Sequence, residues 1–92
     1  MNDYTRLGLY KQEGGERFVQ ELKRLIKKYP RMAEPHYDLA EYYYLKGAYY
    51  DAKNEYLEAI RLLKENKYDK SKYGWMEEKI ERALKNIEAS LN

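Results

Sequence analysis

Cysteine is absent from the 92-residue chain, so neither a disulfide framework nor a thiolate metal site is available, and packing alone must hold the fold. Histidine occurs once, at His36, which leaves a metal site with neither a second imidazole nor a thiol. Long hydrophobic runs are also missing. Stretches such as Tyr42-Tyr43-Tyr44-Leu45 fall far below the roughly 18 residues that a membrane span needs, and Met1-Asn2-Asp3 opens without the basic and apolar pattern of an export signal. These absences give the expectation of a soluble, unexported, cytoplasmic protein with no membrane partner. Neither sign of charge is in excess: eighteen Lys and Arg against sixteen Asp and Glu leave +2, too little to demand electrostatic capture of nucleic acid. The length leaves no room for a second domain.

What is abundant is tyrosine. Twelve are present beside one Phe and one Trp, so much of the core must be built from large rings whose hydroxyls sit at the margin of burial. Lys and Glu, twelve of each against two Gln, lean toward the composition of hyperthermophilic proteins, and a melting midpoint near 50 °C would count against that origin.

Gly14-Gly15, Pro30, Pro35, Gly47 and Gly74 divide the chain into helix-length segments. Residues 3–12 form a short candidate helix with Asp3 as N-cap and Tyr4, Leu7 and Tyr10 on one side. Residues 16–29 carry Phe18, Leu22, Leu25, Ile26 and Tyr29 at amphipathic spacing before Pro30. Residues 33–46 take Pro35 in the first turn and place Leu39, Ala40 and Tyr43 on a stripe. Residues 49–64 carry Tyr49, Ala52, Tyr56, Ala59, Ile60 and Leu63, and residues 73–91 carry Met76, Ile80, Ala83, Leu84, Ile87 and Leu91. Glu65 to Lys72 shows no apolar period and reads as a linker. No segment alternates as a half-buried strand does, so the expected fold is all-α with about five helices.

One stretch repeats a recognisable spacing. Residues 33–66 contain His36-x-x-Leu39-Ala40-x-x-Tyr43, then Gly47, then Ala52-x-x-x-Tyr56-x-x-Ala59. This resembles the tetratricopeptide repeat, a 34-residue helix hairpin whose small residues let two helices approach while aromatics fill the space beside them. His36 stands where the pattern has Trp, Ala40 where it has Gly, and Lys64 where it has Pro. Leu7-Gly8, Gly14-Gly15, Phe18, Leu22, Leu25 and Pro30 resemble a shortened copy before it, and the last helix resembles the cap that such arrays use to cover their final apolar face. The resemblance implies one domain over 1–92: a degenerate repeat at 1–32, a repeat at 33–66, and a linker with capping helix at 67–92. Its architecture would be a fragment of an α-solenoid built from antiparallel helix hairpins.

Catalysis finds no support. Gly14-Gly15 leads into Glu16-Arg17 without a P-loop lysine, and neither G-x-G-x-x-G nor H-E-x-x-H occurs. His36, at the Trp-like packing position, is expected to be structural, and no cofactor or metal is assigned. In tetratricopeptide folds the first helix of each repeat lines a concave groove, and the register here puts Glu34, Tyr37, Asp38, Glu41, Tyr44 and Leu45 on it. The resemblance thus implies a protein-interaction module whose acidic, Tyr-lined groove takes a peptide or helix with Lys or Arg and an apolar anchor. Asp38 and Glu41 stand where a carboxylate-clamping member of the family would carry basic or amide groups, which disfavours that function. Two other readings stay open. Self-association through Tyr42, Tyr49, Tyr50 or the last helix would complete a short array's core as a homodimer. A basic stripe of Lys23, Arg24, Lys27, Lys28 and Arg31 could touch RNA phosphate, although a solvated helix face with cations near its C-terminus accounts for it better.

Overall fold

The apolar periods of the sequence become helices whose ends are set by local chemistry. In the computed structural model, which describes residues 15–91, four helices form: α1 (Glu16–Lys28), α2 (Glu34–Leu45), α3 (Tyr49–Glu65) and α4 (Lys70–Leu91). No strand occurs among the described residues, and the fold is all-α. The expected helix at 3–12 lies outside the described residues, so four of the five expected helices are seen.

Phe18, Leu22 and Leu25 bury one face of α1, and Glu21 at the edge of that face accepts from Arg24 Nε at 2.9 Å and Nη2 at 2.6 Å. α2 ends where Gly47 turns to φ +77°, letting the Ala48 and Gly47 amides donate to the Tyr43 and Tyr44 carbonyls at 2.9 and 3.1 Å. Glycine adopts this left-handed conformation without strain, and the two bonds satisfy carbonyls that the helix leaves open. α3 ends with the same pair of bonds, Tyr68 to Leu63 at 3.1 Å and Lys67 to Lys64 at 3.2 Å, but a lysine holds the left-handed position at φ +52°.

The last helix corrects the expected boundary. The Asp69 carboxylate accepts from the Ser71 amide at 3.0 Å and the Ser71 hydroxyl at 2.7 Å, which starts α4 at Lys70 rather than at 73 and shrinks the linker to residues 66–69. These donors hold the Asp69 carboxyl below its ordinary range. Gly74, expected at a boundary, therefore falls inside a helix.

Each helix packs on its neighbour in sequence, and the α2–α3 contact is the most extensive, an arrangement consistent with a helical repeat. Ala40, Ala52 and Ala59 are fully buried between α2 and α3, and their small side chains let the backbones close up. Tyr56, Leu62 and Leu63 continue this core to Met76, Ile80 and Ile87 of α4. Leu39, one residue before Ala40, belongs instead to a second cluster with Phe18, Leu22 and Leu25. α2 is thus apolar on two sides because helices cover both. The Asn66 side-chain amide donates to the Arg31 carbonyl at 2.7 Å, tying the α3–α4 turn to the α1–α2 turn.

Two substitutions test this account of the helix ends. Lys67→Gly removes the left-handed penalty, and Gly74→Ala restores a side chain whose Cβ meets nothing within 4 Å. Each is expected to raise stability by about 0.5–1 kcal/mol, a few degrees in Tm by calorimetry. A fall in Tm for Lys67→Gly would show that the turn is not left-handed in solution.

Candidate functional site

α2 brings its outward row to a cleft. Tyr37, Glu41 and Leu45, spaced about one turn apart, line a recess of about 670 Å3 together with Asp38, Tyr42 and Lys46 of the same helix. Gly15 and Phe18 at the start of α1 and Trp75 and Lys79 of α4 complete the lining. A second recess of about 210 Å3 continues along α4, where Tyr44, Tyr56 and Glu41 meet Lys79, Arg82 and Asn86. Of the six expected groove residues, four share the first cleft, Tyr44 lines the second, and Glu34 lines neither.

The floor is a carboxylate held by two phenols. Tyr37, one turn back on α2, donates its hydroxyl to Glu41 Oε1 at 2.5 Å, and Tyr56 of α3 donates to Oε2 at 2.9 Å. Both phenols are pushed well above their ordinary value near 10, first by burial and then by the bond to the Glu41 carboxylate, so they remain protonated donors. Tyr37 is only 6% exposed and meets Trp75 edge-on, ring centres 5.7 Å apart at 89°, and Tyr56 at 6.2 Å. The sequence reading puts Tyr37 and Glu41 on the open face of a groove. Both line the cleft, and both also fasten α2 to α3.

The accessible apolar surface lies higher on the walls. Leu45 of α2 is 83% exposed and Trp75 of α4 51%, and both line the recess. Phe18 and Tyr42, which line the same recess, pack at 6.0 Å, and the Lys46 ammonium sits 5.6 Å above the Tyr42 ring. Tyr44 leans on Tyr49 at 5.6 Å and on Tyr56 at 6.5 Å.

The remaining candidates lie elsewhere. His36 is buried, with Nδ1 2.6 Å from Glu55 Oε1 across the α2–α3 contact. A carboxylate only accepts, so this nitrogen carries the proton. Among the described residues no group of His, Cys, Asp and Glu is placed to hold a metal ion, and no helix is long and apolar enough to cross a membrane. On the basic stripe, Arg24 pairs with Glu21 at 2.6 Å, and the Lys28 ammonium lies 5.2 Å above Tyr29. Of the tyrosines considered for self-association, Tyr42 and Tyr49 are half-buried, and Tyr50 is 70% exposed.

The α4 wall is the part that sequence reasoning missed. Trp75, Lys79, Arg82 and Asn86 recur at i, i+4, i+7 and i+11, which puts them on one stripe, yet only the apolar stripe beside it is conspicuous in the sequence. Comparison with protein-family models, with curated proteins and with solved structures finds no match.

Glu41→Gln, which removes the charge from both phenolic hydrogen bonds, is expected to cost about 2 kcal/mol in denaturant unfolding. A loss within experimental error would dissolve the bridge. The raised phenols also set an alkaline limit. Above pH 10 the unfolded chain releases protons from Tyr37 and Tyr56 that the folded chain retains, so stability falls as pH rises from there. Phenolate absorbance followed together with helical circular dichroism should show part of the tyrosines ionising only as helix is lost. Complete ionisation before that loss would contradict the burial.

Proposed function

We propose that the chain is a non-catalytic protein–protein interaction module of the tetratricopeptide type, an adaptor that seats a peptide or helix of a partner protein in the cleft between α2 and α4. In this reading α2 and α3 are the hairpin of the repeat at 33–66, α1 is the second helix of a degraded repeat, and α4 is the cap. The observation that carries it is the cleft itself. Its volume is that of a ligand site, and Leu45 and Trp75 stand exposed on its two walls above an aromatic floor.

The partner segment supplies a large apolar side chain between Leu45 and Trp75 and a Lys or Arg beside Asp38 and Glu41. Glu34 and Tyr44 extend the surface at its flanks. Tyr37 and Glu41 position the floor as well as touch the ligand, so substituting them tests stability and binding together. Leu45 and Trp75 are the informative residues, being exposed and outside the Glu41 bridge.

Self-association is a second reading, favoured by Tyr50 and Leu57, two helical turns apart on the outer side of α3 and 70% and 45% exposed. Sedimentation equilibrium at high micromolar concentration separates a monomer from a dimer.

Selection of a random displayed dodecapeptide library on the native chain tests the adaptor reading, with a Leu45→Asp, Trp75→Ala double variant as counter-target. Enrichment of sequences sharing an apolar anchor near Lys or Arg, retained by the native chain and lost on the variant, is expected. Equal retention by the two proteins, or no enrichment, would overturn the site.

A further inference from the structure

The described part of the chain begins inside the cleft. Gly15, its first residue, lines the recess beside Phe18, Tyr42, Leu45 and Trp75. Its backbone, at φ +89° and ψ −141°, takes a conformation open to glycine and strained for any residue with a side chain, so this position fixes the angle at which residues 1–14 leave the recess. Leu45 and Trp75 stand exposed there, apolar surface in want of cover. The segment that joins the chain at this point carries Tyr4, Leu7 and Tyr10 on one side of the helix expected at 3–12. A helix of about ten residues is marginal alone in water and forms against a surface that buries its apolar side. Residues 13–15 are the length of loop that joins two antiparallel helices.

We infer that the first occupant of the cleft is this chain's own residues 3–12, which lay Tyr4, Leu7 and Tyr10 against Phe18, Leu45 and Trp75 and which a partner's peptide must displace. This rests on the peptide-binding reading and adds its regulation. Apolar contact carries the interaction, and the Glu41 oxygens stay with the Tyr37 and Tyr56 hydroxyls. Tethering decides the competition. A segment joined to the cleft by so short a loop is present there at an effective concentration on the order of 1 mM, so an intrinsic Kd of about 0.1 mM fills the site in roughly nine chains of ten. A free peptide then binds about tenfold more weakly than it would to an open cleft.

A capped synthetic peptide of residues 1–14 tests this, titrated into the native chain and into a full-length Tyr4→Ser, Leu7→Ser, Tyr10→Ser variant, with Trp75, the only tryptophan in the chain, as reporter. The variant, its cleft open, is expected to bind the peptide about tenfold tighter than the native chain does. A second measurement is made on chains that keep all three apolar residues and so does not depend on the folding of that variant. A nitroxide on Thr5→Cys, then the only thiol, is expected to quench Trp75 emission more strongly than one on Glu88→Cys, an exposed position thirteen residues, about 20 Å, along α4 from Trp75. Equal affinity of the peptide for native chain and folded variant, no binding to either, or quenching from position 5 no stronger than from position 88 would overturn the inference. The displayed-library selection decides the peptide-binding reading independently, so the two can fail apart.

Discussion

The structure turns on one half-buried carboxylate. A helix pair that closes over Ala40, Ala52 and Ala59 and fills its margins with tyrosine gains apolar area from the rings, but it must find partners for their hydroxyls. Glu41 accepts from two of them at once, one on its own helix and one on the next, so a single side chain satisfies two buried donors and joins α2 to α3. Ionised acceptors make the stronger hydrogen bonds, and each bond here also keeps its phenol neutral. The same economy recurs at His36 and Glu55 on the other side of the contact.

This bridge shapes the surface as well as the core. Glu41, engaged by both phenols, lines the two recesses together with Lys79 of α4. Trp75, standing edge-on to Tyr37, sets the separation of α2 and α4. The concave side therefore follows from the chemistry of the core: the aromatic rings that build the floor are those whose hydroxyls needed an anion.

Much of the helical framework was legible in the sequence, because burial repeats with the helical period. Phe18, Leu22 and Leu25, then Ala52, Tyr56 and Ala59, then Met76, Ile80 and Ile87 declare their helices by spacing alone, and all are buried. The boundary that moved was decided by a local signal: Asp69 and Ser71 form a cap inside the apparent linker that overrides Gly74, about one turn further on. Half of the candidate cleft was also visible, since Tyr37, Asp38, Glu41 and Leu45 share a helical row. The other half was not, because which acceptor a tyrosine hydroxyl finds, and which helix faces that row, are settled by contacts 15 to 40 residues apart that leave no mark on local periodicity.

A consequence concerns how function and stability are divided among the residues. In a chain this small, few side chains are free of structural duty, and the stability in reserve is only a few kcal/mol. Tyr37 and Glu41 lie where the floor of the cleft and the α2–α3 contact are the same surface, so any ligand resting on them is in contact with the fold's main joint. Binding there stabilises the joint by mass action, and loosening the joint weakens binding by the same linkage. Leu45, Lys79 and Arg82 carry no such duty. They stand on the rims of separate helices and can vary without disturbing the carboxylate below, which places adaptability at the rims of the cleft and constraint at its floor.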